Sequence, residues 1–394
     1  MSPMQVGTYD FLNQSRVVFG KPADLAIGEE LARSNIKRTL LVSSRTLSRK
    51  EEAAKKIGAG MKGALIGIYD DIEPHAPLSS VLKLAGVMRE ERPDIVVTLG
   101  GGSVIDTVKV ASLATEANAR TPEDLIAIRA VVNDAGEQVS PFQPDRLIRH
   151  IDIPTTLSGA EFGIIGGGVD TERNVKDIYK HPQLCAETII YDPALARLTP
   201  NDLWISTGMR AVDHAVETIQ SRGAIAFTDG PALNALRLFG THLRPGDQKY
   251  MDLGALQACQ QAVWSSTIGL GRIPYGGSHG MGHQLGAVSG VPHGLCSCVL
   301  LPAVLTYNEG MAPEKDALIS AALGTPDLSA SEAVRSLIQR LGLPDNLQSV
   351  GVKYEDLETI ATASLGTYFV KNNLRPIESV EDAMAILALA WTSS

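Results

Sequence analysis

The stretch "DIVVTLGGGSVIDTVKVASL" (94–113) decides the fold. Its first seven residues are a short apolar, β-branched run, the pattern of a strand buried on both faces. Three glycines and a serine follow, Gly100, Gly101, Gly102 and Ser103, and then apolar residues recur at helical spacing. Strand, glycine turn and helix together make a phosphate cradle: glycine lets the backbone approach an anion, and the helix start offers free N–H groups. The turn is neither G-x-G-x-x-G nor a Walker loop, so a tight turn without a ligand is the competing reading. Asp106 and Lys109, three residues apart on the first turns of this helix, could reach one bound ligand or pair with each other on the surface.

Outward from this unit, strand-like runs at 38–44 and 63–70 alternate with helix-like ones such as "LAIGEELARSNIK" and "APLSSVLKLAGVMREERP". That alternation predicts a parallel sheet covered by helices on both faces. "IDIPTTLSGAEF" (151–162) ends a further strand at Pro154 and offers Thr155, Thr156 and Ser158 to a groove. The segment 131–150 reads as a surface loop or hairpin. From about residue 195 the texture becomes helical, with amphipathic stretches at 203–221, 228–242, 251–270, 312–323, 329–341, 354–364 and 378–391. The expectation is an α/β nucleotide-binding domain over 1–198 and an all-α domain over 199–394, with the active site in the cleft between them.

The chain has 394 residues, 44% hydrophobic and 20% charged, with a net charge of −9. That balance argues against nucleic acid and anionic membranes as partners. No apolar run approaches the roughly 18 residues of a membrane span, and the N-terminus lacks the pattern of a signal peptide, so a cytoplasmic location is expected. Four cysteines are too few for a disulfide framework in a chain this long. Cys296 and Cys298, read as an extended C-x-C, point to one side and suit core packing better than zinc.

Three of the eight histidines fall within "SHGMGHQLGAVSGVPH" (278–293). His279 and His283 are one helical turn apart, and His293 follows a glycine-rich turn and Pro292. With His214 from "STGMRAVDHAVETIQ" (206–220), four imidazoles could line one pocket, for a metal or for acid–base chemistry. Arg210 lies four residues before His214, on the same helical face.

Taken in order, GGGS with D-x-x-K, I-P-T-T, G-M-x-x-x-x-H-A-x-E, H-G-M-x-H-x-L-G-A and P-H-G resemble the iron-containing alcohol dehydrogenase superfamily, from "RVVFG" (16–20) to 374–391. The resemblance implies an NAD(P)-dependent oxidoreductase and at least a dimer. It implies a diphosphate on Gly100 to Ser103, with Asp106, Thr155, Thr156 and Lys176 nearby. The family's metal is held by one Asp and three His; the three His fall on His214, His279 and His293, and His283 matches an additional active-site His. The Asp position is Arg210. At ~4 Å and an effective dielectric near 20, that charge would oppose a divalent ion by roughly 8 kcal/mol.

Asp213 faces about 100° away from His214 on a helix, which leaves Glu217 as the carboxylate able to replace the lost ligand. Maleylacetate reductases, the metal-free branch, also lack the Asp, and "IPTTLSGAEF" and the run from Val175 to Pro193 resemble theirs. "SHGMGHQLGAVSGVPHGL" is closer to the metal-dependent alcohol dehydrogenases. The expectation is therefore a metal-independent reductase of an acidic carbonyl substrate, with Arg210, His214, His279 and His283 as catalytic candidates. In the alternative, Fe or Zn serves an alcohol–aldehyde pair. Two further readings carry less: a lyase like dehydroquinate synthase, and a nucleotide-binding protein without activity. Arg210 either polarises substrate or turns aside to pair with Glu217 or Asp213. After the first strand of the cofactor motif stand Ser44 and Arg45 rather than an acid. The resemblance thus admits NADPH as well as NADH, with Arg45 on the 2′-phosphate.

Overall fold

The computed structural model describes residues 6–133, 138–173, 175–247 and 250–392. The start of the N-terminal segment, part of the 131–150 excursion and Asn174, the first residue of "NVKDIYK", lie outside the described residues.

Ten strands are described: β1 (Arg16–Phe19), β2 (Thr39–Ser43), β3 (Leu65–Tyr69), β4 (Ile95–Gly100), β5 (Val131–Val132), β6 (Gln138–Val139), β7 (Arg149–Pro154), β8 (Ile165–Asp170), β9 (Val175–Lys180) and β10 (Thr188–Tyr191). Six of them form one sheet in the order β1-β10-β7-β4-β2-β3, every pair parallel. Helices α1 (Ala23–Arg33) and α2 (Ala53–Gly60) cover one face; α3 (Leu78–Glu91) and α4 (Gly102–Glu116) cover the other. Period-2 alternation divides the strand residues between these layers. Leu40, Val42 and Val96 pack with Leu84, Met88 and Val108, while Leu41, Val97 and Leu99 pack with Ile27 and Ile57. The chain runs from β2 outward to β3, then crosses back to β4 on the far side of β2 and continues to β7. Its direction across the sheet therefore reverses between β2 and β4, which opens a crevice at their C-terminal ends.

The helix α5 (Pro122–Ile128) starts on a Thr121–Asp124 capping box. Beyond it, the β5–β6 pair bears out a hairpin in the 131–150 excursion. The antiparallel β8–β9 hairpin stands beside the main sheet. After β10 every further described element is helical: α6 (Pro193–Ala196), α7 (Asn201–Gln220), α8 (Ala226–His242), α9 (Leu253–Ser266), α10 (Gly277–Ser289), α11 (His293–Asn308), α12 (Pro313–Leu323), α13 (Ala330–Arg340), α14 (Leu357–Leu365), α15 (Tyr368–Lys371) and α16 (Val380–Trp391), with short 3₁₀ turns between some of them. No helix among the described residues is long and apolar enough to cross a membrane.

Helix α11 corrects the extended reading of Cys296 and Cys298. The two thiols are buried on different sides of it. Cys298, Leu301 and Leu305 pack with α7, α8 and α9, whereas Cys296, Val299 and Leu300 pack with α10, α14 and α16. A helix between two cores is apolar all round, so its sequence carries no amphipathic period.

Candidate active site

The cofactor side is built by the β4–α4 turn. No side chain caps the start of α4, so the first N–H groups stay available to an anion. A Cβ at Gly101 would lie 2.7 Å from Thr156 Cγ2, and one at Gly102 would lie 3.3 Å from Ser158 Oγ. Glycine is thus what keeps a groove open between this turn and the 154–158 loop. The buried Thr156 Oγ1 has no protein partner and can serve a ligand. Thr155 is used differently: its N–H donates to Gly100 O at 3.0 Å, and its carbonyl accepts from Thr199 Oγ1 at 2.6 Å. A dinucleotide diphosphate fits this cradle.

Lys176 on β9 comes to 3.9 Å from Asp106. Lys109 is neither a ligand group nor on the surface. It is fully buried, and its Nζ donates to the carbonyls of Ala160, Gly163 and Ile165 at 2.5, 2.7 and 3.1 Å. Ser103 Oγ accepts from His75 N at 3.1 Å. Ser44 N donates to Leu99 O at 3.3 Å, which sets the end of β2 beside the cradle, and Arg45 is ion-paired with Asp71.

The histidine side is built by α7, α10 and the start of α11. Residues 210, 213, 214 and 217 fall on the buried part of α7. His214 and His279 stack at 5.1 Å between ring centroids, and His283 and His293 stack at 5.2 Å. Tyr275 meets His279 edge-on at 4.7 Å. Phe369 packs edge-on against His283 at 5.3 Å. The loop of the cofactor groove reaches this cluster, since a Cβ on Gly159 would stand 3.6 Å from His214 Cε1.

Arg210 takes the second of its two expected courses but does not leave the site. Its side chain is 7% exposed, and Nη1 donates to Asp213 Oδ2 at 3.0 Å and to Ser297 Oγ at 3.1 Å. Asp213 Oδ2 also accepts from Ser278 Oγ and Ser297 Oγ at 3.0 and 2.6 Å. Glu217 does not turn to His214. It accepts from Ser278 N at 2.9 Å and lies 2.5 Å from His279 Nδ1. That contact orients the ring and leaves His279 Nε2 without a protein partner; His214 Nδ1 also lacks one.

Burial, helped by the Arg210 charge, holds His214 and His279 well below the usual imidazole range and brings His283 down to about 3. Burial and the neighbouring Asp213 carboxylate push Glu217 up to about 8. The imidazoles are thus neutral at working pH.

Among the described residues, the one group of His, Cys, Asp or Glu whose ligand atoms all lie within 4.8 Å of one another is Asp213, Glu217 and His279. Asp213 Oδ2 is held by Arg210 and two serines and Glu217 Oε2 by His279, while Asp213 Oδ1 is left without a partner. The expected trio of His214, His279 and His293 is not drawn to that spacing. Asp213 Oδ1, His214 Nδ1 and His279 Nε2 keep no protein partner, so the cluster retains ligand atoms that a metal ion could use. Ser278, Ser297, Tyr275 and Phe369 were not legible in the sequence, since each gains its meaning from a partner on another helix.

Residues 14–193 match the family "Iron-containing alcohol dehydrogenase", and 204–391 match "Fe-containing alcohol dehydrogenase family, C-terminal". Dehydrogenase ALT3 of Alternaria alternata is 31% identical over 389 residues, covering 88% of this chain and 96% of the relative. Lactaldehyde reductase of Escherichia coli (strain K12) is 30% identical over 389 residues, covering 95% of this chain and 97% of the relative. The crystal structure of maleylacetate reductase from Rhizobium sp. strain MTP-10005 superposes with a TM-score of 0.81 at 25% identity, covering 98% of this chain and 99% of that one. The cradle, the four histidines and the matched halves agree: this chain belongs to the iron-containing alcohol dehydrogenase family and is an NAD(P)-dependent oxidoreductase.

Proposed function

We propose that this enzyme reduces a carbonyl on a small acidic substrate, as a metal-independent relative of the maleylacetate reductases. One observation carries the reading: a buried guanidinium, fixed by Asp213 and Ser297, at the position where the resemblance puts a metal-ligating carboxylate. A guanidinium stays charged at any working pH and binds carboxylates through paired N–H groups. The surrounding imidazoles are neutral, and Lys176 adds a second positive charge that acts on His283 and His293. With Asp213 balancing part of the Arg210 charge, what remains together with Lys176 favours an anionic substrate and would stabilise negative charge developing on a carbonyl oxygen. A dinucleotide on Gly100, Gly101, Gly102 and Ser103, flanked by Asp106, Thr155, Thr156 and Lys176, would supply the hydride. His283 is the candidate proton relay. His279, oriented by Glu217, and His214 line the reacting carbonyl. The proposal extends to a cytoplasmic homodimer or larger homo-oligomer.

The unpartnered nitrogens of His214 and His279 favour a second reading, an Fe- or Zn-dependent enzyme acting on a simple alcohol or aldehyde with His293 as third ligand. Metal content of the purified protein, with NADH- and NADPH-linked reduction of maleylacetate and lactaldehyde before and after chelation, separates the two. Retained turnover of maleylacetate in chelated, metal-poor enzyme is expected. Stoichiometric metal with activity lost on chelation would overturn the proposal.

A further inference from the structure

We propose that Asp71, in the loop after β3, selects the dinucleotide by excluding a 2′-phosphate. The inference rests on the dinucleotide lying along the β4–α4 cradle, and concerns its adenosine end.

The crevice between β2 and β4 is bordered by three chain segments. The end of β2 is tied to β4 through Ser44 N on Leu99 O. The loop after β3 is tied to the cradle through His75 N on Ser103 Oγ. Asp71 belongs to that loop, and its Oδ1 holds the Arg45 guanidinium while Oδ2 lies 3.7 Å from Lys83 Nζ. Around it, Asp70 takes Arg49 through two bonds of 2.8 and 2.9 Å, and Glu73 shares Lys83 at 3.7 Å. Three cations, Arg45, Arg49 and Lys83, therefore face three carboxylates, Asp70, Asp71 and Glu73.

A 2′-phosphate carries close to two negative charges. Here it meets no net positive charge, and it must displace Asp71 to use Arg45. A ribose 2′-hydroxyl faces no such penalty, because it can donate a hydrogen bond to a carboxylate with spare lone pairs. The neutral Ser44 after β2 suggests room for the phosphate, but the neighbouring strand supplies the missing acid. Asp71 and Arg45 are both partly exposed, so their pair contributes little to stability, and Asp71→Asn leaves the fold intact.

The test is calorimetric binding of NADH and NADPH, and of AMP against adenosine 2′,5′-bisphosphate, to the wild type, Asp71→Asn and Asp70→Asn. The wild type is expected to prefer NADH by about tenfold or more. Asp71→Asn should remove most of that preference by tightening NADPH and the bisphosphate, whereas Asp70→Asn should preserve it. A wild type that binds NADPH as tightly as NADH overturns the proposal. So does an unchanged preference in Asp71→Asn, or an equal effect of Asp70→Asn. If neither dinucleotide binds, the cofactor reading beneath it fails instead.

Discussion

A guanidinium four residues ahead of His214 stays charged at any working pH, so its neighbours must adapt to it. Asp213 does so by lending a carboxylate at i+3, a spacing that is legible in the sequence. The hydroxyls of Ser278 and Ser297 that complete the arrangement come from α10 and α11 and were not legible. Replacing the charge with the family's ligand should reverse the consequence. Arg210→Asp removes the repulsion on a divalent ion and restores the carboxylate that the resemblance pairs with His214, His279 and His293, which an arriving ion would have to draw together. The variant is expected to bind Zn²⁺ about tenfold or more tightly than the wild type in direct titration. Equal affinities would show that Arg210 does not govern the ion.

The β4–α4 turn was read correctly from its glycines, because strand, turn and helix each leave a local signature. The neighbourhood of Thr156, in the loop after β7 and 55 positions from Gly101, came only from the family resemblance, since local pattern does not show contacts that distant in the chain. Gly101→Ala puts one carbon 2.7 Å from Thr156 Cγ2. The groove must then narrow or shift, and dinucleotide affinity measured by fluorescence should fall about tenfold or more. Retention of full affinity would mean that the diphosphate lies elsewhere. Elements whose own residues show their period were found to within a few positions, among them α8, α12, α13 and α16. The β8–β9 hairpin was missed because "IGGGVD" has too few β-branched residues to register as a strand. Helix α11 hid its geometry for the opposite reason, being apolar on every side.

Stability as a function of pH sums opposing groups. Glu161 is fully buried, with Oε1 accepting from Tyr191 OH at 2.6 Å, and burial raises it to about 7 from its ordinary 4.5. Below 4.5 both states hold the proton. As pH rises from there to 7, only the unfolded chain releases it, so stability falls by a total of about 3 kcal/mol. The buried histidines act the other way. Lowered in the folded state, they cost stability as pH falls below about 6.5. Glu161→Gln cannot ionise and is expected to flatten the loss between about pH 4.5 and pH 7 in urea unfolding. Parallel curves for variant and wild type would assign that slope to other groups.

Lys109 bears on how the glycine turn and the histidine wall are held together. Its ammonium clamps three carbonyls of the 160–165 segment onto α4, the helix whose first turn forms the proposed phosphate cradle. The same segment begins beside His214, on the chemical side of the crevice. Charge, hydrogen bonds and burial make this a stiff strut rather than a loose tether. The helix that carries the glycine turn and the segment that begins beside His214 therefore share one rigid support.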